Sequence, residues 1–396
     1  MIKICLGVFL VAGVLGCNSD PPPGAAVTQD VTLPGSSLTG MQKVSLIRAG
    51  DGFILAGYEG GWVRWGHLSL TGVLVEEAGF ALAQPVVGPV FGATKKTVAG
   101  DQLIAFVVTN NVTGTYDVSA MVQTTDAPTT VHLAALPGGT DPKAVQIAAG
   151  AATTGNVGIA AWGVRGRDKS PNYLLLPADA LTTATPSTMD AVPDWDCLAT
   201  SNCASGLGFS VVAPDTQDLT RSDFDTIEIN EATGESTFML YQFTKTVANC
   251  QVVGSPAPKG SYVMALQTSN AIDFAMYFPS LDPSKSGIVD TTDPVLSAST
   301  FGDPLNMPHP AWVSPAAGGD ISFGLAHTAG IQVFRFTYNG IPHGSPLTLR
   351  SEKGQTSPVA SWVGPDAVYV TYADQTKSGT PAVKRYFMRI ESPTLP

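Results

Sequence analysis

The side chains able to do chemistry in this sequence are five histidines, scattered carboxylates, five cysteines and a few tryptophans beside glycine. His67, His132, His309, His327 and His343 form no His-x-x-x-His or His-Glu-x-x-His pair, and no serine sits in a Gly-x-Ser-x-Gly turn. Neither a zinc-hydrolase helix nor a nucleophile elbow is therefore encoded. Loop histidines without a motif are ordinarily just solvated; His309, between Pro308 and Pro310, is a candidate rim or ligand contact and, with Asp303 or Asp320, the least unfavourable place to seek a general base. The densest acidic run, Asp215, Asp218, Asp223 and Asp225, lacks the spacing of a calcium loop and reads as a solvated acidic loop.

Four further aspartates recur in one context: Gly or Pro, then Asp or Asn, then a short apolar strand. The pattern is Gly50-Asp51, Gly100-Asp101, Gly155-Asn156, Gly319-Asp320 and Pro365-Asp366, at intervals of 50, 55, 164 and 46 residues. An Asx side chain bonds its own backbone two residues on and tolerates left-handed geometry, so turn chemistry accounts for the pattern. If the turns share one rim, Asp51, Asp101, Asp320 and Asp366 face a common ligand, with Ca2+ as the conceivable cation; no metal or cofactor is expected. In the segment 57–65, alternation sets Trp62 and Arg64 on one strand face and Val63 and Trp65 on the other, so one tryptophan is exposed. Core packing is the ordinary fate of such a ring, but an exposed Trp62 beside glycine-rich loops is a stacking surface for a sugar. Gly60-Gly61 is no phosphate loop, since no Lys-Ser/Thr follows it.

The elements that must hold these residues are short strands. Of 396 residues, 41 are Gly and 30 are Pro, and charged residues make up 13%, about half the roughly 25% usual in soluble domains. That composition excludes helical bundles, coiled coils and wholesale disorder, and leaves an all-β protein. A repeat near 50 residues organises it. Pro308, Trp312, Val313, Pro315, Ala317, Val333 and Arg335 match Pro358, Trp362, Val363, Pro365, Ala367, Val383 and Arg385, each pair 50 apart. Strands are expected at 311–314, 321–326 and 331–338 and again at 359–363, 367–372 and 383–390. The 164-residue interval is close to three periods, and 208–212, 226–241 and 260–266 supply strands for two intervening units. A four-stranded unit takes roughly 40 to 50 residues, so the period resembles a single β-propeller of six or seven four-stranded blades. A strand around 27–33 would complete the last blade and close the ring. Tandem β-sandwich domains are the alternative, although their repeats run nearer 100 residues. No particular propeller family is resembled: sialidase Asp-boxes, Trp-Asp blade endings and kelch double glycines are not evident.

Lys3, the apolar run 4–14 and the sequence Val14-Leu15-Gly16-Cys17 resemble the signal peptide and lipobox of bacterial lipoproteins. The resemblance covers residues 1–17 and implies cleavage before Cys17 and lipidation of its thiol, with residues 17–30, which include Pro21-Pro22-Pro23, as an extended tether. The domain then spans 31–396. With Asn18 rather than Asp after the lipidated cysteine, family behaviour implies the outer membrane of the bacterial envelope. Loss of residues 1–16 removes Lys3 and leaves a formal charge of −12. So acidic a chain is no nucleic-acid binder. Of the remaining cysteines, Cys197 and Cys203 are the easiest pair to bridge in an oxidising compartment, with Cys250 able to compete for either; zinc spacing is absent. The expectation is a monomeric, membrane-anchored binding or scaffold module for a protein or glycan, without catalysis. The alternative is an extracellular glycan hydrolase or lyase at the propeller mouth.

Overall fold

The computed structural model describes the strands and most tight turns between residues 26 and 391. Residues 1–25 and 392–396 and a set of loops, including 178–184, 190–196, 203–205, 255–261, 279–286, 298–308, 338–346 and 376–383, lie outside the described residues, and with them the signal segment, Cys17 and its tether. The described residues are all-β, with a short 3-10 turn at Pro142–Ala144. Among the described residues no helix is long and apolar enough to cross a membrane.

β1 (Ala26–Thr32) comes first in the chain but belongs to the last sheet. Sheet 1 is β2 (Val44–Ala49), β3 (Gly52–Glu59), β4 (Trp62–Ser69) and β5 (Leu74–Glu76), with the short β6 (Phe80–Ala81) also on β4. Sheet 2 is β7 (Phe91–Thr97), β8 (Gly100–Asn110), β9 (Tyr116–Val122) and β10 (Thr129–Ala135). Sheet 3 is β11 (Val145–Ala151), β12 (Val157–Val164), β13 (Asn172–Pro177) and β14 (Ser187–Thr188). Sheet 4 is β15 (Cys197–Asn202), β16 (Gly206–Pro214), β17 (Ser222–Asn230) and β18 (Ser236–Phe243). Sheet 5 is β19 (Asn249–Gly254), β20 (Tyr262–Gln267), β21 (Ala271–Phe278) and β22 (Gly287–Asp290), with β23 (Leu296–Ser297) also on β21. Sheet 6 is β24 (His309–Pro315), β25 (Asp320–His327), β26 (Gly330–Thr337) and β27 (Leu347–Leu349). Sheet 7 joins β28 (Gln355–Thr356) and β29 (Ala360–Val363) to β30 (Ala367–Gln375), then β31 (Lys384–Glu391), then β1. All these pairings are antiparallel, and the 208–212 segment and residues 262–266 of the 260–266 segment fall in the second strands of sheets 4 and 5. β1, near the strand expected around 27–33, pairs with β31 in sheet 7.

The first strands begin at Val44, Phe91, Val145, Cys197, Asn249, His309 and Ala360, intervals of 47 to 60 residues. Their contacts run in a cycle: β2 against β7, β7 against β11, β11 against β15, β15 against β19, β19 against β24, β24 against β29, and β29 against β2. The packing follows from residues that are apolar on both strand faces. In β3, Ile54 and Ala56 pack with Leu103, Ala105 and Val107 of sheet 2, while Phe53 and Leu55 pack with Ala367, Tyr369 and Phe387 of sheet 7. In β12, Ala160 and Trp162 face sheet 2 and Ile159 and Ala161 face sheet 4. Such strands leave little room for charge, which is the origin of the low charged fraction. At Gly92 a Cβ would stand 2.6 Å from Ile47 Cδ1, so glycine there sets how closely sheet 2 approaches sheet 1.

Polar bonds join the first strands as well. Ser45 Oγ donates to the Val90 carbonyl, Thr94 Oγ1 donates to the Arg48 carbonyl at 3.0 Å, and Leu198 N–H donates to Gln146 Oε1 at 3.1 Å. The join between the chain ends is the most elaborate. β1 pairs with β31 from Ala26 opposite Glu391 to Thr32 opposite Tyr386, with a bulge between Val27 and Gln29. Arg385, buried in β31, donates from Nε to the Thr39 carbonyl at 3.1 Å and from Nη2 to the Met41 carbonyl at 2.5 Å, so it holds the connection between β1 and β2. Burial pulls its pKa down to about 10, which leaves it charged at neutral pH. Arg385→Met removes both donors and strands two carbonyls, so it should lower stability to urea by about 3 kcal/mol. An unfolding midpoint equal to that of the parent chain would contradict this role.

Candidate functional site

Trp62 and Arg64 form the most exposed aromatic feature that the expected sites provide. They lie on the third strand of sheet 1, and alternation sends Val63 and Trp65 inward against sheet 2. Trp65 is braced edge-on by His67, with ring centroids 5.7 Å apart. Trp62 stays 44% exposed, and the Arg64 guanidinium lies 5.6 Å from its ring centroid. A cation over an indole fixes the ring at low cost and leaves an amphipathic surface that can stack or accept an apolar group. The backbone beneath is fixed by β6, with Ala81 opposite Trp62.

The acidic run does not form a solvated loop where it continues into β17. Asp223 and Asp225 are strand residues, and Asp225 is only 2% exposed. Period-two alternation puts them on the same strand face as Ile227 and Ile229, which pack against Ile159 and Ala161 of sheet 3. Asp225 lies in register with Val211 on one side and Leu240 on the other. Burial first, and the Asp223 charge second, push its pKa up to about 7. The opposite face of β17 carries Thr226, directly across from buried Ser210, and Glu228, whose pKa burial also raises. The signal was present in the sequence: the string Asp-Phe-Asp-Thr-Ile-Glu-Ile alternates with a strand's period, and acidic content hid it. Asp218, by contrast, does lie in a turn, where the Thr220 hydroxyl and N–H bond its carboxylate and hold its pKa low.

The remaining expected residues are spread among sheets. Asp51 is an exposed turn residue between β2 and β3, beside Gly50 at φ 50, which is the left-handed geometry of the turn reading. Asp101 is a strand residue of β8 in register with Lys96, and Asp320 opens β25 in register with Thr337. Asp366 lies outside the described residues. The structure does not bring His309 and Asp320 together: His309 pairs with Ala326 while Asp320 begins the same strand, about 20 Å away at the other end. Asp303, His343 and Cys203 lie outside the described residues. Cys197 opens β15, and Cys250 in β19 is buried and disulfide-bonded. Among the described residues no group of three or more His, Cys, Asp or Glu side chains is placed to hold a metal ion. Compared with protein-family models and with curated proteins, the chain matches none.

The raised Asp225 pKa has a definite sign. The folded state holds the proton up to about pH 7 and the unfolded chain releases it near pH 3.8, so the stabilising contribution is complete in acid and is lost as pH rises to 7. Asp225→Asn, which cannot ionise, should therefore gain stability over the parent chain on going from pH 4 to pH 8, on the order of 3 kcal/mol. Thermal melts across that range check it; a difference between the two proteins that does not vary with pH would contradict it.

Proposed function

We propose that this chain is a lipid-anchored envelope protein whose seven sheets form a seven-bladed β-propeller that works as a binding scaffold. The cycle of first-strand contacts supports the propeller over tandem sandwiches. A sandwich pairs two sheets and closes its core locally, whereas here sheets 1, 3 and 4 each have packed cores on both faces. Every first-to-second-strand hairpin then falls on one rim, where Asp51 and its counterparts lie. The lipobox at Cys17 supplies the anchor and the Pro-rich segment the spacing from the membrane.

The exposed Trp62 under Arg64 carries the binding reading: a large ring held in place by a cation yet left in water is a contact surface rather than a core element. Its amphipathic chemistry fits a glycan face or an apolar protein side chain. A hydrolase would need two carboxylates open to substrate, and the described pair closest along a strand, Asp223 and Asp225, sits in the interface between sheets 3 and 4.

Two experiments separate the parts of this reading. Expressed in a bacterial envelope with an alkyne-bearing fatty acid, the parent chain should take up label and pellet with membranes, and Cys17→Ser should lose both; equal pelleting of the two would remove the anchor. A photo-crosslinking residue at position 62 should trap one discrete protein or glycan species that the same residue at Val98 does not trap. Identical products, or none, at the two positions would remove Trp62 as the contact.

A further inference from the structure

We infer that the disulfide partner of Cys250 is Cys197, so that one covalent bond staples the first strand of sheet 4 to the first strand of sheet 5 and encloses the whole of sheet 4 in a single loop. Cys250 packs in a buried cluster with Val212 and Phe224 of sheet 4 and with Val252, Met264 and Leu266 of its own sheet. Its partner must therefore reach the face that sheet 4 turns toward sheet 5. Cys197 stands directly opposite Val212 in the antiparallel ladder, and Val212 stands opposite Phe224. Residues directly opposite in a ladder belong to the same face, so the register assigns position 197 to the face of Val212. Its neighbour Leu198 points the other way, into the cluster with Ile159 and Ala161 of sheet 3.

Position along the strands agrees. The Val247 N–H, three residues before Cys250, donates to Ser222 Oγ at 3.1 Å, and Ser222 pairs with Pro214 at the end of β16 that adjoins Val212 and Cys197. β15 and β19 lie against each other, and both cysteines stand at the start of these strands. Cys203 follows the far end of β15, beyond the pairing of Asn202 with Leu207. β15 carries the chain about 16 Å from Cys197 to Asn202, and one further peptide step of about 3.8 Å cannot return it to Cys197, whereas bridged cysteines have Cα atoms about 4.4–6.8 Å apart. The short-loop pair Cys197 with Cys203 would require β15 to fold back on itself, which its unbroken ladder with β16 opposes. Cys203 is left as the thiol.

Such a bond forms in an oxidising compartment, which agrees with export but does not depend on the lipid anchor. The test is fragmentation mass spectrometry of the full-length protein, alkylated in acid without reduction and digested with an enzyme that cuts after Leu198. The expected product links the peptide bearing Cys197 to the peptide bearing Cys250, with Cys203 alkylated. A Cys203–Cys250 or Cys197–Cys203 peptide would overturn the assignment whatever the state of Cys17. Cys203→Ser provides an independent readout: it should keep the crosslinked peptide at full yield and leave the melting temperature unchanged, and loss of the crosslink in that variant would also overturn it.

Discussion

A strand that is apolar on both faces needs a neighbour on each side of its sheet; sheets 1 to 4 are of this kind, so sheet 1 needs a cover on the face turned away from sheet 2. Pairing β1 with β31 resolves this, because the first segment of the chain then belongs to the last sheet and the packing of sheet 7 on sheet 1 has no terminal gap. Arg385 reinforces the same join from inside: its buried guanidinium spans to the backbone at Thr39 and Met41. A charge in that position is costly to bury unless its donors are used, and the two carbonyls it reaches belong to the turn that leads from sheet 7 into sheet 1. Stability at the join thus couples residues more than 340 positions apart.

Much of the architecture was legible before any coordinates. The repeat of Trp312 and Arg335 at Trp362 and Arg385 falls on equivalent strands, the first and third of sheets 6 and 7. Segment 208–212 lies in β16, and residues 262–266 of the segment 260–266 lie in β20, the second strands of the two units that the 164-residue interval concealed. Turn chemistry and strand alternation are local, so a sequence exposes them. Burial across a sheet interface is not local. Asp223 and Asp225 looked like a solvated loop because acidic composition outweighed a period-two pattern, and only the apolar partners from sheet 3 reveal the alternative. Arg385 was visible as a repeat position, but its bonding to Thr39 and Met41 depends on chain closure.

The functional residues show the same division. Alternation alone separated Trp62 and Arg64 from Val63 and Trp65, and the exposed indole beneath its guanidinium follows from that split. His309 with Asp320 was a pairing by sequence proximity, and the ladder of β24 with β25 holds them at opposite ends. Trp62 leaves an indole face open to water, while burial within β17 raises the pKa of Asp225 and Glu228. The Cys250 disulfide and the Arg385 bonds add covalent and polar ties to the packing of the sheets.

Chain closure is the claim on which the account rests, and residue-resolved amide hydrogen exchange under native conditions tests it most directly. If β1 is an integral strand of sheet 7, the amides of residues 26–32 that pair with β31 exchange as slowly as those of β31 itself and lose protection in the same cooperative step. Exchange of those amides within seconds, while β30 and β31 stay protected, would mean that the ring is not closed by its first strand.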